Sequence, residues 1–77
     1  MKNKIKQIMS TVFEISPDMI GDNASPETID NWDSLRHMNL VTVLEEEFEV
    51  RFTDDQLIEM LTLDLIIFTL NDALAAK

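Results

Sequence analysis

Apolar residues recur at helical spacing in three long stretches of the chain and one short one. From Asn3 to about Glu14 they fall at Ile5, Ile8, Met9, Val12 and Phe13, the one-sided stripe of an amphipathic helix. Lys2, Lys4, Lys6 and Gln7 lie mostly off that stripe. Lysines at a helix start oppose the macrodipole, so no strong cap is expected there. The helix should stop before Pro17, because the residue preceding a proline is pushed out of the α region. The periodicity then vanishes between Ser16 and Asp33, where Pro17, Gly21, Asp22, Asn23, Ser25 and Pro26 crowd into one segment. Met19, Ile20 and Ile29 are its aliphatic residues, expected to peg the loop to the core. A connection this long is unusual in a small domain and tends to be functional or to contain short turns.

A second helix is expected from about Ser34 to Glu49. At 100° per residue, Leu40, Val41, Leu44 and Phe48 share one face, with His37 and Val43 near its edges. Nearly opposite lie Leu35, Asn39, Thr42, Glu46 and Glu49, with Met38 and Glu45 on the side nearest Ser34. Two apolar residues, Leu35 and Met38, therefore face outward beside a serine and above a strip of carboxylates, which makes a small docking surface. Val50-Arg51-Phe52 breaks the register and reads as a short extended link whose aromatic ring plugs the core. Thr53-Asp54-Asp55-Gln56 reads as a capping box opening a short helix that carries Leu57, Ile58, Met60 and Leu61. The last helix begins near Thr62, with Leu63, Ile66, Ile67, Leu70 and Leu74 on its stripe. Leu65 and Phe68 fall on its other side, to cover the long loop or to meet a partner. No stretch alternates apolar and polar residues between turn signals, so no strand is expected. The fold class is all-α: a four-helix bundle of three longer helices and one short one, with a long loop between the first and second.

Composition narrows the function classes. The chain has 77 residues, 45% of them hydrophobic, which fits one small domain spanning residues 1–77. At that size only roughly 60% of the unfolded surface is buried, which leaves little room for a deep active site. No apolar run is long enough to span a membrane, and Met1–Lys6 is not followed by a signal-like apolar stretch. A cytoplasmic location and no stable membrane insertion are therefore expected. The net charge is −9, a field that repels nucleic acid and anionic membranes and speeds encounter with basic protein patches. There are no cysteines, so any thiol chemistry needs a thiol supplied from outside.

Enzymatic readings fit poorly. Ser34 and His37 lie three apart on one helix, but no glycine-rich elbow surrounds the serine, and the layout turns His37 toward the core edge. Glu45-Glu46-Glu47 on one convex helix reads as a solvated face rather than a glycosidase pair. Asp30–Ser34 lacks the central glycine of a calcium loop and places Trp32 where a ligand should be, so no metal site is expected. Ser34 remains, either as a helix N-cap or as an acceptor. A phosphate ester on a serine at a helix N-terminus is stabilised by free N–H groups and the dipole, and Asp33 could take over the capping.

Asp33-Ser34-Leu35, followed by Leu40, Val43-Leu44 and Glu45-Glu46-Glu47-Phe48, resembles the acyl carrier proteins, in which D-S-L opens the second helix and L-E-E-E-F lies near its end. The resemblance extends over nearly the whole chain, including the long first loop and the T-D-D-Q start of the third helix. It implies a stand-alone carrier with no catalysis of its own. A 4′-phosphopantetheine arm, taken from coenzyme A by a separate magnesium-dependent phosphopantetheinyl transferase, would esterify Ser34 and hold acyl groups as thioesters. It further implies acyl-loading, condensing or acyltransferase partners with basic docking patches, reading Asp33, Leu35, Arg36, Met38, Glu45, Glu46 and Glu49. A monomer is expected. Acyl chains can slip between helices in this family; here Leu40, Val43, Leu44, Phe48, Leu57, Ile58 and Leu61 would line that space and serve as core. The chain departs from the housekeeping fatty-acid pattern in having Trp32 in place of a common glycine, and Arg36 and Asn39 in place of common acidic residues. Those three positions are where partner choice is expected to be written. They suggest a specialised lipid, polyketide or surface-saccharide pathway. The alternatives are an aminoacyl or peptidyl carrier, or a small acidic helical adaptor without a prosthetic group.

Overall fold

The computed structural model describes residues 1–76 and contains four α-helices and no strand among them. Helix α1 spans Lys2–Phe13, α2 Ser34–Phe48, α3 Asp54–Glu59 and α4 Leu63–Ala75. The all-α bundle of three longer helices and one short one is thus the architecture observed. A short 3-10 turn at Pro17–Met19 lies within the long α1–α2 loop.

Each boundary has a local cause. Helix α1 ends because Glu14 turns left-handed, with φ 57°, and donates its N–H back to the Ser10 carbonyl. Helix α2 ends the same way at Glu49, with φ 54°, so its last helical residue is Phe48 rather than Glu49. Thr53 and Gln56 form the reciprocal capping box that opens α3, and Thr62 caps α4 by accepting from the Leu65 N–H at 3.1 Å.

Ile5, Met9 and Phe13 of α1, Leu40, Val41 and Leu44 of α2, and Leu63, Ile66 and Leu70 of α4 bury their side chains together. The long loop adds Ile20, Ala24, Ile29 and Trp32 to this core. Met19 does not act as a peg; it is 71% exposed, because the 3-10 turn points it outward. Phe48 and Phe52 pack only partly against the core, and Val50 is the buried residue of the α2–α3 link. Ile58 and Leu61 are not core residues either: α3 is too short and too peripheral to cover them, and they are 69% and 51% exposed. Leu65 and Phe68 are also exposed.

Tertiary partners account for the lysines at the start of α1. Lys6 binds Asp22 at 2.9 Å and Lys2 approaches the same carboxylate at 3.6 Å, tying the loop to α1. Lys4 pairs with Glu47 of α2 at 2.8 Å and lies over the Phe48 ring. Further along, the Leu63 N–H donates to the Ala24 carbonyl at 2.9 Å and joins the loop to α4. These ties order a segment that has no helical pattern of its own. Among the described residues, no helix is long and apolar enough to cross a membrane.

Candidate functional site

The corner that ends the long loop and opens α2 is held from behind by the C-terminus of α1. A helix end leaves its last carbonyls without intrahelical donors. The Phe13 carbonyl accepts from the Asn31 side-chain amide at 2.7 Å, and the Val12 carbonyl accepts from the Arg36 guanidinium at 2.7 Å. Arg36 also meets the Glu14 carboxylate at 2.9 Å. Its charge is therefore spent within the molecule, and the side chain is half-buried.

Asp33 is the N-cap of α2. Its extended backbone and its carboxylate, which accepts the Arg36 N–H at 2.8 Å, complete the first turn. Ser34 is consequently the first helical residue and not the N-cap of α2. Its side chain is exposed, and among the described residues the hydroxyl has no hydrogen-bond partner. An anchored backbone thus presents a free hydroxyl at the positive end of a 15-residue helix.

Beside Ser34 runs an open groove of about 740 Å³ between the start of α2 and helix α3. Its walls include Trp32, His37 and Met38 on one side and Leu57, Ile58 and Leu61 on the other, with Asp33 and Asp54 at its edge. Exposed Ile58 of α3 and Leu61 just after it therefore share a hollow with Met38.

Trp32 departs from its expected role. It is 4% exposed, so it cannot be read by a partner as a surface label. It packs on Phe13 with ring centroids 5.2 Å apart and donates its indole N–H to His37 Nδ1 at 3.0 Å. His37 Nε2 lies 3.1 Å from the Leu57 carbonyl of α3. Both ring nitrogens are engaged, so His37 is structural, as its place at the core edge suggested, and has no free nitrogen to act as a base toward Ser34. The helical layout placed His37 correctly. What sequence inspection missed was its partner, because Trp32 lies in a loop with no periodicity to say which way it points.

The remaining candidate recognition residues occupy one outer face of α2. Leu35 and Met38 are exposed, at 72% and 48%, and Glu46 and Glu49 are exposed below them, as is Asn39. Glu45 is half-buried, and its carboxylate accepts the Phe52 N–H at 2.9 Å, which fixes the turn after α2. A second, more polar hollow of about 580 Å³ lies near the C-terminal ends of α2 and α4, lined in part by Glu45, Glu49, Arg51 and Asp72, and its one hydroxyl, on Thr53, is engaged in capping α3. No cluster of three or more potential metal ligands occurs among the described residues.

Comparison with known proteins points the same way. Residues 3–67 match the family model described as a phosphopantetheine attachment site. A curated acyl carrier protein from Thermosynechococcus vestitus is 30% identical over 73 residues, covering 95% of this chain and 90% of that one. The solution structure of a holo acyl carrier protein from Geobacter metallireducens superposes with a TM-score of 0.85 at 27% identity, covering 97% of this chain and 86% of that one.

Proposed function

Since the chain belongs to the acyl carrier protein family and bears 4′-phosphopantetheine covalently, we propose that Ser34 is the residue to which the group is attached. One observation carries this reading: Asp33 takes the capping role and leaves the Ser34 hydroxyl exposed and unbonded at the N-terminus of α2. The site fits the group. A phosphodiester at this position sits where helix N–H groups and the dipole favour negative charge. The groove beside it is open, so an arm can leave without displacing core side chains. When bound, the arm supplies a terminal thiol for acyl transfer, which this cysteine-free chain lacks.

The carrier works with a phosphopantetheinyl transferase and with biosynthetic enzymes. We read Leu35 and Met38 as the apolar contact, Asp33, Glu46 and Glu49 as charges that steer basic partners, and Arg36 and Glu45 as supports of that face. A net charge of −9 favours basic partners and opposes self-association, which supports a monomer. The engaged ring of His37 supports a carrier without catalysis of its own. Arg36, whose charge is paired with Glu14, and exposed Asn39 stand where acidic residues are common in the family, which supports service in a specialised pathway. Coenzyme A-dependent modification suits the cytoplasm. The adaptor alternative without a prosthetic group gives way to the family match.

Intact mass measured after incubation with coenzyme A and a broad-specificity transferase tests the attachment. One added phosphopantetheine in the native chain and none in Ser34→Ala is expected. No gain in the native chain, or an unchanged gain in Ser34→Ala, would overturn the assignment.

A further inference from the structure

We propose that His37 is a positioning residue for modification of Ser34: a neutral imidazole brace that holds Trp32, and through it the Asp33–Ser34 corner, until the ring takes up a second proton. The role in modification rests on the reading of Ser34 as the attachment residue, but the brace itself can be read out without it.

The protonation state follows from the donor inventory. An indole N–H can only donate. Trp32 Nε1 lies 3.0 Å from His37 Nδ1, so Nδ1 is the bare acceptor and the ring hydrogen sits on Nε2. That hydrogen is directed at the Leu57 carbonyl, 3.1 Å away. The carbonyl needs a donor because α3 stops at Glu59, and the Leu61 N–H turns instead to the Glu59 carbonyl at 2.9 Å. His37 thus supplies a side-chain cap to the end of α3 while gripping the last buried residue of the loop.

A proton taken from solvent adds to the Nδ1 lone pair. Nδ1–H then faces the indole N–H, two donors with no acceptor between them, and that hydrogen bond is lost. The Nε2–H bond to Leu57 survives, and a positive ring at the end of a helix is electrostatically favoured. Proton uptake therefore releases Trp32 selectively and keeps α3 tied. An indole N–H buried to this degree cannot stay unpaired without cost, so the loop end must adjust. The adjustment reaches Ser34, because Trp32 is two residues before it and its own N–H holds the turn to the Ile29 carbonyl at 3.1 Å.

The charged groups around the ring are few. Asp33, from the loop, and Asp54, from α3, line the same groove as His37. Helix α1 presents Phe13 to Trp32 rather than a charge, and the guanidinium of Arg36 is turned to Val12 and Glu14. No α4 residue lines the groove.

The chain has one tryptophan and one histidine, so each gives an unambiguous NMR signal. In the unmodified full chain, the indole N–H resonance of Trp32 is expected to move with the same midpoint as the His37 ring protons. In His37→Gln, whose side-chain oxygen can still accept from the indole, it is expected to hold constant over the same range. An indole resonance that stays put while the ring titrates, or that moves identically in His37→Gln, would overturn the proposal. The transferase rate of the native chain divided by that of His37→Gln should fall on the acid side of the same midpoint, and a flat ratio would refute the positioning role. If neither chain is modified, the Ser34 assignment fails while the indole titration still judges the brace.

Discussion

Replacing Trp32 with phenylalanine separates the hydrogen bond of this residue from its bulk. The ring stays aromatic and can keep its contact with Phe13, but the donor to His37 Nδ1 disappears. Leaving a part-buried acceptor without a partner costs about 1–3 kcal/mol. The smaller ring adds a void, which costs on the order of 1 kcal/mol for a change of this size. The expected loss is therefore about 3 kcal/mol. A chain of 77 residues has a total stability of about 4–12 kcal/mol at typical per-residue values, so the variant folds but is severely weakened. At roughly 4–8 °C per kcal/mol for a domain of this size, Tm should fall by about 12–24 °C. Urea unfolding followed by far-ultraviolet circular dichroism gives the number without needing the lost fluorophore. The same assay on His37→Leu and on the double variant completes a cycle, in which removing both partners relieves the penalty for the orphaned nitrogen. Coupling below about 0.5 kcal/mol would be indistinguishable from additivity, and would refute the claim that the Trp32–His37 bond is what holds this corner.

Asp33→Ala should cost about 1 kcal/mol through loss of the α2 cap, read by thermal unfolding, and should slow modification more than that loss alone explains, because the adjacent Ser34 hydroxyl can then be drawn into capping. Glu46→Lys should slow the transferase more at low salt than at high salt with stability nearly unchanged; a rate indifferent to ionic strength would contradict steering by this face. The Asp22 carboxyl is held below its ordinary value of 3.8, first by its hydrogen bond to Lys6 and then by the charges of Lys2 and Lys6. A depressed folded-state value means that its stabilisation is present above the unfolded value and lost as pH falls through the folded one. Asp22→Asn should accordingly be less stable than the native chain near neutrality, and the gap in urea midpoints should close at acid pH.

Much of this protein was legible in one dimension because its causes are local. The stripes of α1, α2 and α4 and the capping box at Thr53 depend on neighbours within a turn or two, and the structure places them within a residue or two of expectation. The free serine hydroxyl at the head of α2 was also within reach of sequence, once Asp33 was considered as a cap. Side chains in the long loop were not, because no period tells which of them turn inward: Met19 points out, while Ala24 and Trp32 point in. Nor could sequence show that Ile58 and Leu61 lie on the wall of a groove instead of in the core, since a short helix buries only what its neighbours can cover. The reading of Ser34 as a candidate acceptor came from residue types at adjacent positions. The support beneath it was decided only by folding, which brings Asn31 and Arg36 onto the end of α1 and closes His37 between Trp32 and Leu57. Asn31 and Arg36 are 18 and 24 residues from their partners and meet them where the last turn of α1 abuts the head of α2. His37 is 20 residues from Leu57 and meets it where α3 packs beside α2, while Trp32 and His37 are only five apart but face each other only once the loop is folded.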